Sequence, residues 1–147
     1  MMAIDRQGTG LTVLRILIGA FFLFQGLSKF RWFVDTSALT SQLAAWHHEA
    51  AAGTISARYL ERVAIPYAGL FARLVPIGEI ASGIGLILGF RTSLFALLAF
   101  FMVANFHIAG GTIFRYAFLT NPYGLPVFGG TLALALGGVR LPLSLRG

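Results

Sequence analysis

The chain has 147 residues, of which 57% are hydrophobic and 11% charged, with a net charge of +6 and a mean hydropathy of +0.81. An ordinary soluble domain carries about 25% charged residues, so this composition excludes a water-solvated fold and makes lipid the solvent. The basic residues stand singly at the edges of apolar runs and form no stripe, which excludes nucleic acid as a partner. The absence of cysteine excludes disulfides, thiol chemistry and iron–sulfur ligation.

In chain order, the first apolar run covers residues 11–30. It contains Arg15 and Lys29, is too long for a signal-peptide core and has no small-residue cleavage site close behind it, so it reads as a retained helix. Arg15, Gly19, Phe22, Gly26 and Lys29 share one face, with a cation at each end and glycines that admit a neighbouring backbone. Lys29 is placed to snorkel towards the headgroups, whereas Arg15, a turn inside, needs a partner.

Residues 31–65 form a polar connection. Within it Leu39, Leu43, Trp46 and Ala50 recur at helical spacing, which predicts an amphipathic surface helix over 37–52, lying on the bundle or in the interface. His47 and His48 are adjacent and point to different faces, and three histidines without cysteine argue against zinc or haem.

The second span covers 66–90, opening at Pro66, and carries Glu79 in its middle. The third covers 92–109, stopped by Gly110-Gly111, and the two-residue link at Phe90 and Arg91 makes these two helices antiparallel neighbours. The aromatic stretch TIFRYAFLTNPYG then reads as an interfacial segment, and a short fourth span covers 123–139. The expectation is an all-α integral membrane four-helix bundle in one domain over 1–147. The N and C termini share one side, placed in the cytoplasm so that the long connection is the translocated one. That placement puts Arg6, Arg15, Arg91, Arg140 and Arg146 together.

Glu79 raises the functional question. An unpaired carboxylate at mid-bilayer costs about 2.5–3.5 kcal/mol on insertion scales, so it must find a cation or a proton. Rise per residue puts Arg15 within reach, and the expected partner is Arg15. Two readings stand: a buried Arg15–Glu79 pair that docks the first two spans, or a Glu79 that lines a pocket for a substrate or proton. Gln25, Lys29 and Arg73 lie at the outer end, as do Asn105 and His107 from the third span. With Arg15 and Glu79 they make a candidate polar pocket, suited to the two carbonyl oxygens of a quinone. For His107 a plain interfacial or capping role is the competing reading.

The runs LRILIGAFFLFQGLSKF, IGEIASGIGLILGFRTSLFALLAFFM and LTNPYGLPVFGGTLALAL together resemble the DoxX/DoxD family of small membrane proteins. Arg15, Gly19, Gly26, Lys29, Glu79, Gly83 and Gly89 fit its pattern, and the YGLP…GG stretch from Tyr123 to Gly130 is similar to the DoxD-like branch, the small subunit of thiosulfate:quinone oxidoreductase. The resemblance implies an integral membrane protein of a bacterial or archaeal cytoplasmic membrane, in contact with other membrane subunits of a redox complex and with quinone as its cofactor. It assigns no catalytic residue. The alternative is a non-catalytic subunit that packs against a larger assembly.

Overall fold

A computed structural model describes residues 6–145. Every regular element among them is helical: α1 (Arg6–Ser28), α2 (Ser37–Glu49), α3 (Ile55–Tyr59), α4 (Ala68–Leu88), α5 (Thr92–Ala109), α6 (Tyr116–Thr120) and α7 (Leu125–Gly137). A 3-10 turn, Phe30–Phe33, follows α1, and a π turn, Leu60–Ala64, continues directly from α3. By length and composition α1, α4 and α5 can each cross a membrane. Their outward faces carry Leu17, Phe24, Leu74 and Phe101, all exposed. Apolar surface of this extent belongs against lipid.

The centre of the molecule is the contact between α1 and α4, which run antiparallel. Their backbones touch because glycine faces glycine. A Cβ on Gly83 would stand 2.5 Å from the Leu23 amide nitrogen, and one on Gly26 would stand 2.7 Å from Ile80 Cγ1. Close packing of this kind, which dispersion rather than the hydrophobic effect rewards inside a membrane, fixes one register. In that register Gly26 lies against Glu79 and Ile80, while Gly19 lies against Gly83 and Ile87.

α4 ends on Gly89 in the left-handed conformation (φ 69°), the usual C-terminal cap, and α5 starts two residues later. The expected antiparallel α4–α5 pair therefore forms. α7 packs mainly against α5, with Phe128 on Phe100, and buries Val127 and Leu134 in a core shared with Ile18, Phe22 and Leu86.

Several boundaries differ from the sequence reading, beginning with the first helix, expected over 11–30 and running Arg6–Ser28. The fourth apolar run, expected to span over 123–139, gives a helix of only 13 residues. That is roughly 20 Å at 1.5 Å per residue, short of a hydrocarbon core of about 30 Å. The preceding aromatic stretch folds separately around the buried Phe118. The helix expected over 37–52 stops at Glu49, where Ala50 turns to extended backbone. Its Leu39 and Leu43 are buried against Leu60, Ala64 and Ala68.

The helix expected to open at Pro66 begins instead at Ala68, after the π turn. Proline lacks the N–H an α-helix needs and its ring crowds the carbonyl four residues back. The chain widens just before it, and the Ile65 amide donates to Leu60 O, five residues back, at 3.0 Å.

Candidate functional site

The antiparallel register decides which cation meets Glu79. Lys29, just beyond the end of α1, lies level with Glu79, and its Nζ donates to both Oε1 and Oε2 at 2.9 Å. Glu79 is 4% exposed. The same ammonium donates to the backbone O and side-chain Oε1 of Gln25, each at 3.1 Å. It also sits 5.9 Å from the ring centroids of both Trp32 and Phe106, within range of a cation–π attraction. Two expectations are thereby corrected. Glu79 pairs with Lys29 and not Arg15, and Lys29 turns inward instead of snorkelling.

Arg15 lies about fourteen residues along the same helix, roughly 21 Å away at 1.5 Å per residue. It is fully buried, at the level of Gly89. Its Nη1 donates to Ser144 Oγ at 3.1 Å, and its Nη2 to the carbonyls of Pro142 at 3.4 Å and Leu143 at 3.0 Å. The physical reason for the correction is this register: reach along one helix axis was enough for Arg15, but the C-terminal segment offers carbonyl oxygens at its own level. Thr12 Oγ1 also donates to Pro142 O, at 3.3 Å, so the two described chain ends meet at this pole.

The other candidates divide. Gln25 joins Lys29 and Glu79. Asn105 does not reach the ion pair; its Oδ1 accepts from the Tyr59 hydroxyl. The two groups are linked by Phe106, which bears on Lys29 and also lines a small cavity beside Tyr59 and Asn105. That cavity, of about 20 Å³, is closed on its outer side by Leu39, Leu43 and Trp46 of α2. Burial holds the Tyr59 phenol above its ordinary pKa, partly offset by the bond to Asn105, so the hydroxyl remains a donor at neutral pH.

Arg73 is exposed and donates to Gly69 O on its own helix at 2.6 Å. His107 is held by the aromatic segment after α5: Nδ1 lies 2.9 Å from Thr112 Oγ1, Nε2 lies 3.1 Å from Tyr123 O, and the ring packs edge-on against Phe118. Both stand apart from Glu79. His47 Nε2 lies 3.1 Å from Glu61 Oε1 on the exposed side of α2.

The sequence reading missed Tyr59, Trp32 and Phe106. Trp32 follows Lys29 by three residues and so shares its side of a helical turn, a signal that was available. Tyr59 gave none, because it meets Asn105 only through the packing of α3 against α5.

A cluster of apolar helices around a buried Lys–Glu pair, with its remaining surface suited to lipid, defines an integral membrane protein of small size. The sequence profile of the DoxX family matches residues 10–111. The chain belongs to the DoxX family. The match runs from within α1 to just past the end of α5 and so includes Arg15, Lys29 and Glu79, while α6, α7 and the C-terminal segment lie beyond it. No curated protein and no solved structure matches the chain.

Proposed function

We propose that this chain is the small membrane subunit of a redox complex and that Lys29 and Glu79 receive the head of a quinone. One observation carries the reading. The Glu79 carboxylate accepts hydrogen bonds only from Lys29 among the described residues, although two carboxylate oxygens offer about four acceptor sites. An ammonium beside a carboxylate with spare acceptor capacity is suited to quinone chemistry. The ammonium donates to a quinone carbonyl, and the carboxylate accepts from a quinol hydroxyl or holds its proton. Asn105, its Oδ1 held by the Tyr59 hydroxyl, keeps its amide NH2 as a second donor across Phe106. Trp32, Trp46 and Phe71 supply the apolar surroundings.

In this reading α7, prolonged by the aromatic segment before it, closes a four-helix bundle with α1, α4 and α5. α2 lies at the membrane surface as an amphipathic cover. The described chain ends face the cytoplasm of a bacterial or archaeal cell, and neighbouring subunits contact the outward apolar faces. The YGLP…GG stretch supports kinship with the DoxD-like subunit of thiosulfate:quinone oxidoreductase. Neither a metal nor a haem is part of the proposal.

A second reading, a non-catalytic packing subunit, is favoured by one feature: a cavity of about 20 Å³ accommodates roughly a single water, so a quinone ring enters only if α2 swings outward. The two separate in one experiment. Protein extracted in native lipid particles should carry quinone, identified by mass spectrometry, and Glu79→Gln should lose it while eluting as a folded particle. Co-purification with a larger complex and no quinone in either variant would establish the packing role instead.

A further inference from the structure

The pole opposite Lys29 holds a second feature that the quinone reading does not use. The C-terminal segment beyond α7 crosses the α4–α5 turn, with the Leu145 amide donating to Leu88 O at 3.1 Å. Between segment and turn lies an open cleft of about 1100 Å³, lined among others by Arg91, Ser93, Arg140 and Ser144.

Its charge is one-sided. The described residues at this pole carry Arg6, Arg15, Arg91 and Arg140 and no aspartate or glutamate; Asp5 and Arg146 lie outside the described residues. By contrast Asp35, Glu49, Glu61 and Glu79 all sit at or near the other pole, among Lys29, Arg31, Arg58 and Arg62.

Donors here exceed acceptors. Arg15 is fully buried, and its guanidinium is neutralised by no carboxylate among the described residues. Among the described residues its Nε and the buried Oγ of Ser93, a cleft-lining residue, have no hydrogen-bond partner. Arg15 also braces the cleft wall through Ser144. The cleft opens at the level where α4 ends and α5 begins, which is the headgroup level of a bilayer that α4 and α5 cross. A buried positive charge without a carboxylate partner among the described residues, beside two further arginines and an unpartnered hydroxyl, is the donor set of an anion site.

We propose that this cleft binds a phosphate group, with Arg91 and Arg140 as its charged walls, Ser93 as a hydroxyl donor and Arg15 as the buried charge behind it. The chemistry fits the phosphodiester of an anionic lipid headgroup and equally a free phosphate. Arg140 lies beyond the part of the chain that the family profile matches, so the complete site belongs to this chain with its own C-terminal segment.

The test uses the intact protein in detergent, with phosphatidylglycerol, phosphatidylcholine and inorganic phosphate as separate probes. Binding is read by native mass spectrometry for the lipids and by calorimetry for phosphate. The variant is Arg91→Asn with Arg140→Asn. Both positions have positive φ, 41° and 62°, which asparagine tolerates. The control is Arg31→Asn with Arg58→Asn at the other pole. Each variant is first checked for an unchanged helical circular dichroism spectrum and elution volume; if the double Asn variant fails that check, Ser93→Ala replaces it, with a several-fold loss expected.

Retention of phosphatidylglycerol over phosphatidylcholine that falls at least tenfold in the cleft variant and is unaltered in the control supports a lipid source. Millimolar binding of inorganic phosphate with the same dependence, and no lipid preference, supports a free one. Binding of both probes that is unchanged by the cleft substitutions, or absent from the native protein, overturns the proposal.

Discussion

The two cations on one face of α1 end in opposite circumstances. Lys29 meets a carboxylate on the next helix, and the pair shares its remaining valences with Gln25 and two aromatic rings. Arg15, more deeply buried, meets only carbonyls and a hydroxyl from the far end of the sequence. The difference lies in what each pole offers: the ammonium is a compact charge that one carboxylate satisfies, while the guanidinium spreads its donors and can be held by several neutral oxygens. A paired charge can exchange a proton with a ligand, whereas a carbonyl-held cation keeps its charge and can only attract. The two poles are therefore suited to different partners.

The largest effect should come from breaking the pair. Glu79→Ala leaves a buried ammonium and is expected to cost about 3–5 kcal/mol, read as loss of thermal stability in detergent. Replacing both, Lys29→Met with Glu79→Leu, should restore much of that loss. If the double variant is no more stable than Glu79→Ala, the pair is not what the single variant breaks.

Next comes the register that selects Lys29. Gly83→Ala presses a methyl on the Leu23 backbone and should cost about 1–3 kcal/mol. Gly129→Ala has nothing within 4 Å and should be neutral or slightly stabilising through helix propensity. Equal effects at the two positions would contradict the close α1–α4 approach.

Arg15→Met should cost about 2 kcal/mol, since charge-assisted bonds are lost while a burial penalty is relieved. Its specific signature is faster amide exchange at Leu145, while the amides around Glu79 keep their protection. Uniform exchange across both poles would mean that Arg15 does not hold the C-terminal segment.

The smallest effect belongs to Tyr59. Tyr59→Phe leaves Asn105 without its donor, at about 1 kcal/mol. In the native protein the unfolded chain ionises this phenol near its usual pKa of about 10, before the buried one does. Its part of the stability is thus constant below that range and declines as pH rises through it. Tyr59→Phe should flatten this decline, measured by unfolding between pH 9 and roughly 11; an unchanged slope would assign the decline to other groups.

Much of this was legible in the sequence, for identifiable reasons. The α5 limits, Thr92–Ala109, agree with the run expected over 92–109 because Gly89 and Gly110 punctuate both ends and nothing inside interrupts it. Glu79 was correctly expected to face inward, since lipid exposure of a carboxylate is costly. Its partner was misjudged because rise along one helix says how deep a residue lies but not the register of its neighbour. That register comes from Gly83 against Leu23, a contact between residues sixty apart in sequence. The C-terminal carbonyls that hold Arg15 were illegible for the same reason, since backbone acceptors carry no side-chain signature. α7 is two residues shorter at each end than the run expected over 123–139, because Gly124 flanks its start and Gly138 its end.

The most direct test is a pair of double-mutant cycles on thermal or denaturant unfolding of the protein in detergent. One cycle combines Lys29→Met with Glu79→Gln, and the other combines Arg15→Met with Glu79→Gln. The structure predicts a coupling of about 1.5–3 kcal/mol in the first and additivity within about 0.5 kcal/mol in the second. Coupling confined to the Arg15 cycle would contradict the assignment of Glu79 to Lys29 and, with it, the division of labour between the two poles.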